Sequence, residues 1–188
     1  MIVTMCAIEF KRLIENTKRF VNKSSGNAMI GYIYLEVNAG AKEITATACD
    51  GYKVSIEHAQ VFEADESFKF FIKPNIPKIT KRDRTVELTV ADKKAYITVG
   101  ENIVGYKQPE AQYVDINKVL NDVNQKEVKA AITVNVKLLK EALQGLCNIE
   151  DYKPWVRLEI RDKCSPILII PTKRQEDIKL VLPINSER

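Results

Sequence analysis

The sequence predicts an α+β protein assembled from three similar strand–helix–strands cycles. Three observations lead there. Apolar residues recur at helical spacing in a few separate stretches, and between them the chain alternates apolar with polar residues and is rich in β-branched and aromatic side chains. The two patterns return together about every sixty residues, which reads as a repeat of one structural unit. A chain of 188 residues can hold one ordinary domain, a smaller second one and a sizeable core.

The first cycle carries its helix in "IEFKRLIENTKRFVNK", where Phe10, Leu13, Ile14, Thr17, Phe20 and Val21 fall on one face. Gly26 in "SSGN" is the expected stop. "MIGYIYLEVNAGAKEITATACDGYKVSIEHAQV" follows as three strands broken at "NAGAKE" and at the Asp50-Gly51 turn. In the second cycle "FKFFI" reads as a strand, the segment after Pro74 as a short helix with proline in its first turn, and "TVELTVADKKAYITVGENIVGYKQ" as three more strands. "PEAQYVDINKVLNDVNQKEVK" reads as a polar connector. In the third cycle "ITVNVKLLKEALQGL" is a strand leading into a helix with Asn135 as N-cap, and "WVRLEIRDKCSPILIIPTKRQEDIKLVLPI" holds the three closing strands.

A content of 45% apolar and 29% charged residues is that of a soluble globular protein. No run approaches the roughly 18 apolar residues that span a bilayer, and the N-terminus lacks a signal-peptide apolar stretch, so a cytoplasmic protein without a membrane partner is expected. Cys6, Cys49, Cys147 and Cys164 lie far apart with no CxxC pair, which argues against a zinc site and a disulfide framework. His58, the sole histidine, is placed at a strand end with no partner near it in sequence. Phosphate-loop, dinucleotide, zinc-protease and serine-hydrolase motifs are absent and no carboxylate pair stands out. No catalytic residue, metal or cofactor is expected.

The net charge of +4 permits a nucleic-acid partner without demanding one. The basic residues gather on the expected helices: Lys11, Arg12, Lys18, Arg19 and Lys23 in the first, Lys73, Lys78, Lys81 and Arg82 in the second, Lys137 and Lys140 in the third. Surface helices also carry lysine simply to face water. A solvated face mixes both signs, however, and the first two carry few acids. Such faces suit duplex phosphates bound through counterion release, with no reading of base sequence. No aromatics alternate with the lysines, so stacking on single strands is not expected.

In wording and order the chain resembles the bacterial DNA polymerase III β subunit, the β sliding clamp. "TACDGYKVS" is similar to that family's "ATDGHRLA" in the middle domain, and "YVDINKVL" to its "FPDYRRVL", which leads out of that domain. "VNVKLLKEAL" is similar to the start of the helix in the last domain's second half, and "SPILIIPTKRQEDIKLVLPI" to its closing strands and their "MPM" ending. The resemblance implies the DNA-clamp fold: repeated β-α-β-β-β units with helices on one face of antiparallel sheets, the helices lining a ring around duplex DNA and the sheets outside. A full clamp chain has six such units and this one three. Residues 1–122 would then match the complete middle domain and 123–188 half of the last, with the first domain missing. Rings of this superfamily contain twelve units, so a homo-oligomer is implied: a dimer restoring the half domain by two-fold symmetry, or a tetramer supplying a full ring.

The resemblance also implies a hydrophobic pocket for short linear peptides of polymerases, clamp loaders and repair proteins. Its residues carry over as Ile30, Cys49, Gly51, Tyr52, Lys53, Val54, Val114, Lys118, Val119, Cys164, Pro166, Leu180, Leu182, Pro183 and Ile184, with Gly51, Tyr52 and Lys53 in one wall and the C-terminal "LVLPI" as the other. Aliphatic side chains, a glycine and flanking lysines suit a peptide with apolar anchors and a carboxylate. Val54, Val119, Leu180 and Leu182 would equally be apolar in any strand core. Tyr52 stands where the family has histidine, Val114 where it has proline and Cys49 where it has threonine. The reading is a processivity factor; the competing ones are a clamp-derived adaptor or decoy that binds such peptides without encircling DNA, and an enzyme with an unrecognised site.

Overall fold

The computed structural model describes residues 1–21, 28–110, 112–128, 130–147, 155–173 and 178–184. The chain divides into two compact units, Met1–Ile116 and Asn117–Arg188.

The first unit is one antiparallel eight-stranded sheet with a helix on it. Its strands are β1 (Ile2–Cys6), β2 (Ile33–Asn38), β3 (Glu43–Cys49), β4 (Val54–Ala64), β5 (Phe68–Ile72), β6 (Thr85–Ala91), β7 (Lys94–Val99) and β8 (Asn102–Lys107), in the spatial order β5-β2-β3-β4-β1-β6-β7-β8. This order is two equal halves. Exchanging β1–β4 with β5–β8 turns the series into itself with its halves swapped, so each half lends its first strand to the other. Opposed pairs along the two seams, Ile33 with Ile72, Leu35 with Phe70, Val86 with Met5 and Leu88 with Val3, are all fully buried. Strict alternation produces this: β2 and β7 bury every second residue, the period that aims one side of a strand at a core. The two ends of the sheet also meet. Gln108, just after β8, accepts from the Phe71 amide (2.8 Å) and donates to the Phe71 carbonyl (2.9 Å), standing in for a strand against β5.

Helix α1 (Ala7–Thr17) buries Ala7, Phe10, Leu13, Ile14 and Thr17 on the sheet, the apolar face expected from the spacing. The Thr17 hydroxyl donates to the Leu13 carbonyl at 2.5 Å, which satisfies a polar group inside the core. The helix is shorter than its pattern. Lys18–Phe20 is a 3₁₀ turn, and the expected stop at Gly26 lies outside the described residues.

The helix expected after Pro74 is not there. Residues 73–84 form an extended strap ending in a turn. A helix begun at Pro74 would put Pro77 where its missing N–H forfeits the first intrahelical bond, and its ring would meet the carbonyl four residues back. Ile79 is buried and Ile76 packs on the core, so the strap fills the place of a helix by side chains alone. Asp83 closes the turn by accepting from the Thr80 amide (2.7 Å) and hydroxyl (2.8 Å). His58 lies within β4 and not at a strand end, with its Nδ1 3.0 Å from a Glu43 carboxylate oxygen and 3.2 Å from the Thr45 hydroxyl.

The connector holds a helix, α2 (Ile116–Asn124), whose Ile116, Val119, Leu120 and Val123 share one stripe within a segment of polar composition. In the second unit α3 (Val136–Cys147) follows Asn135, whose side-chain oxygen accepts from the Lys137 amide at 2.9 Å, as an N-cap does. The strand expected before it is reduced to one bridge, Val134 with Pro183. A three-stranded antiparallel sheet, β11-β10-β9, is formed by β9 (Val156–Glu159), β10 (Ile167–Pro171) and β11 (Lys179–Val181). Its small core is Leu146, Ile167, Ile169 and Val181, with Leu139, Ala142 and Leu143 of α3 packed on it.

Candidate functional site

The "CDGYK" stretch is the loop between β3 and β4, held by a carboxylate. Asp50 Oδ1 accepts from the amides of Tyr52 and Lys53, both at 3.0 Å, while the Asp50 amide donates to the Lys53 carbonyl at 3.2 Å. The Tyr52 amide first, then the Lys53 amide and ammonium, hold the Asp50 carboxyl below its ordinary range against some desolvation. Gly51 has φ of +95°, a conformation that side chains disfavour. Its amide donates to Cys49 Sγ at 3.4 Å. This geometry leaves Tyr52 98% exposed, with Val54 exposed beside it.

Lys53 faces inward. Its Nζ donates to the Arg19 carbonyl at 2.8 Å and stands 5.0 Å from the Phe20 ring centroid. The loop is thereby tied to the 3₁₀ turn that ends α1. Ile30 and Cys49 are buried, and Val114 is exposed.

Next to Cys49 lies an aromatic group that the sequence pattern does not single out. Tyr113 stacks on Tyr34 at 5.4 Å and tilts against Phe71 at 5.9 Å. Its hydroxyl is buried near the Cys49 backbone but outside good hydrogen-bond geometry, and burial pushes it up to about 12. Nothing local in "EAQYVD" signals this, because the partners come from β2 and β5.

The remaining residues expected at the site lie in the second unit. Leu180, Leu182 and Ile184 alternate with Val181 and Pro183. The first three point outward, with Leu180 61% and Leu182 65% exposed, while Val181 enters the core. Ile184 donates its amide to the Thr133 carbonyl at 2.8 Å, which keeps the end of the row on the sheet. Cys164 and Pro166 flank a turn in which Asp162 accepts from the amides of Cys164 (2.8 Å) and Ser165 (2.7 Å). Lys118 and Val119 are exposed on α2. Val54, Val119, Leu180 and Leu182 are therefore surface residues in this chain and not core packing.

The basic residues differ in what they touch. Arg12 is spent internally: Nε and Nη1 lie 3.0 Å from carboxylate oxygens of Glu9 and Glu57, and Nη2 donates to the His58 carbonyl at 2.8 Å. Lys11 donates to the Ile79 carbonyl at 3.2 Å, tying α1 to the strap. Lys18 pairs with Glu15 and holds that carboxyl below its usual range. Lys73 sits 3.5 Å from the Tyr32 ring centroid. Arg19 on the turn after α1, and Lys78, Lys81 and Arg82 on the strap, are exposed, as are Lys137 and Lys140 on α3. Lys23 lies outside the described residues. Sequence position alone could not sort these, because the acids that engage Arg12 and the carbonyl that engages Lys11 come from other elements.

No family model matches the sequence, and no curated protein matches it. Solved structures do. A chain from Eubacterium rectale described as a DNA polymerase III beta subunit superposes with a TM-score of 0.81 at 14% identity, over 97% of this chain and 50% of its own. The DNA polymerase sliding clamp of Pseudomonas aeruginosa gives 0.78 at 15% over 97% and 51%, and the DNA polymerase III beta chain of Streptococcus pneumoniae 0.77 at 16% over 97% and 49%. The chain thus spans about half the length of these neighbours. At such identities the likeness is one of fold, and the fold of this chain is that of the DNA sliding clamps.

Proposed function

We propose that the protein is a sliding-clamp-like processivity factor: a non-enzymatic, cytoplasmic homo-oligomer, without a cofactor, that holds duplex DNA through phosphate contacts and tethers replication or repair proteins by short linear peptides. The observation that carries this reading is the likeness to sliding clamps over 97% of the chain. Residues 1–122 are read as one complete clamp domain and 123–188 as half of one. Among the described residues no helix is long and apolar enough to cross a membrane.

Arg19, Lys78, Lys81 and Arg82, with Lys137 and Lys140 on the second unit, are the cations best placed for phosphate. Lys11, Arg12 and Lys18 already have partners. The exposed apolar row Leu180, Leu182 and Ile184 and the projecting Tyr52 support a peptide surface. A second reading, an adaptor that binds such peptides without holding DNA, is favoured by one observation: Arg12 of α1 is paired with Glu9 and Glu57, and Lys11 and Lys18 beside it also have partners within the chain.

Duplex DNA binding measured by anisotropy across a salt series tests the first reading. Affinity is expected to fall steeply with salt. Changing Arg19, Lys81 and Arg82 to alanine is expected to lower the slope by about 0.9 for each phosphate that is no longer neutralised. Leu182→Asp is expected to abolish binding of a peptide with apolar anchors and a carboxylate while leaving DNA binding intact. Peptide binding without DNA binding supports the adaptor; neither would overturn both.

A further inference from the structure

The second unit is built like the first half of the first unit, and setting them side by side shows what it lacks. In the first unit Met5 pairs with Val61, Ile44 with Ala59 and Ala46 with Leu35. In the second, Val134 pairs with Pro183, Ile167 with Val181 and Ile169 with Leu158. The spacings agree at every step, and α1 and α3 each begin two residues after Met5 and Val134. So Ile132, Val134, Val156 and Leu158 correspond to Val3, Met5, Ile33 and Leu35.

Those four positions in the first unit are all 0% exposed, because a strand of the other half lies against each seam. In the second unit Leu158 is 51% exposed although it aims at the core side, and Ile132, Val134 and Val156 are only partly buried. Among the described residues β9 pairs with β10 alone. Trp155 and Ile160 at its ends are exposed too.

We infer that a second copy of this chain covers this edge. Residues 132–134 of one copy pair antiparallel with β9 of the other, and reciprocally, with Ile132 opposite the partner's Leu158 and Val134 opposite the partner's Val156. The register is that of Val3 with Leu88 and Met5 with Val86, and of Phe70 with Leu35 and Ile72 with Ile33, in the first unit. Two arguments select a second copy as occupant. The half-unit that lacks a strand beside β9 also offers one, residues 131–134, whose counterpart β1 is paired on both sides; a partner with the same two edges satisfies both at once by two-fold symmetry. The strand offered, "AITV", carries no charge to bury. The first unit has no such strand to spare, since Gln108 already bonds the outer edge of β5.

This deepens the homo-oligomer reading above and rests on it, so the experiment separates the two. Light scattering on the full chain at micromolar concentration is expected to give a dimer or a multiple of it. Chains carrying Ile132→Cys and Leu158→Cys, mixed and oxidised, are expected to form a disulfide-linked pair on a non-reducing gel, since an opposed pair meets the Cα separation a disulfide needs. Thr133→Cys mixed with Leu158→Cys is the off-register control, and the unsubstituted chain sets the background of the native thiols. Hydrogen exchange on the unsubstituted chain gives a readout free of substitutions: β9 amides are expected to gain protection as concentration rises. A monomer overturns both readings. An oligomer whose in-register pair links no better than the control, with β9 amides unprotected, overturns this interface and leaves the oligomer standing.

Discussion

Asp50 sets the shape of the β3–β4 loop with one carboxylate oxygen shared by two amides, and those bonds favour its charged form. A carboxyl held low in the folded state contributes stability above its unfolded pKa, and this is lost as pH falls through the folded value. Acidification below the ordinary aspartate range of about 3.9 is therefore expected to release the loop. The check is hydrogen exchange at the Tyr52 and Lys53 amides, which should lose protection in acid in the native chain and show little pH response in Asp50→Asn. Equal acid response in both would remove Asp50 as the cause. Asp65 and Asp83 are held low first by the Ile2 and Thr80 amides, and Asp162 first by the Ser165 hydroxyl and then by the Cys164 and Ser165 amides, so these bonds too are expected to weaken in acid.

At the scale of elements, the joint between β8 and β5 depends on a side chain. Gln108 bonds both the amide and the carbonyl of Phe71, next to the Tyr34, Phe71 and Tyr113 rings. Gln108→Leu keeps much of the bulk but leaves two half-buried backbone groups without these partners, a loss of about 1–3 kcal/mol. Urea denaturation should move to a lower midpoint with unchanged slope; an unmoved midpoint would mean that water serves the edge equally well. The strap is the other joint of this kind. Tyr106 donates its hydroxyl to the Asn75 carbonyl and Lys11 its ammonium to the Ile79 carbonyl, so a segment without regular backbone bonding is held from both sides. Burial of the Tyr106 hydroxyl pushes it up to about 12, keeping it a donor across the ordinary pH range.

The whole chain is two compact units of unequal cores. Among the described residues, the first buries a cluster running from Val3 to Tyr106, and the second a smaller cluster of Leu146, Ile167, Ile169 and Val181 with α3 leaning on it. Apolar burial contributes roughly 25 cal/mol per Å², so the second unit should unfold first unless its open edge is covered. Trp155, the sole tryptophan, lies in the second unit and reports on it alone. Its fluorescence is expected to change at lower urea than far-ultraviolet circular dichroism, and the gap should narrow as concentration rises. Coincident transitions at every concentration would show one cooperative block.

Period and turn chemistry, local properties of the chain, determined much of this protein: alternation placed β2–β4 and β6–β8, helical spacing placed the buried face of α1, Asn135 began α3, and Asp50-Gly51 turned the chain. Helix α2 was legible too, in the apolar stripe of "INKVLNDV", but hidden by the polar composition around it. Two prolines spaced three apart already spoke against a helix in the strap. Other features were settled only by the fold. Glu57 and His58 come from β4 to engage Arg12, and Ile79 from the strap to engage Lys11, so which cations are engaged depended on residues far along the chain. Leu35 and Leu158 look alike in sequence, yet one is sealed and the other half in water. The difference is a neighbouring strand, and burial is a property of what lies alongside a residue in space.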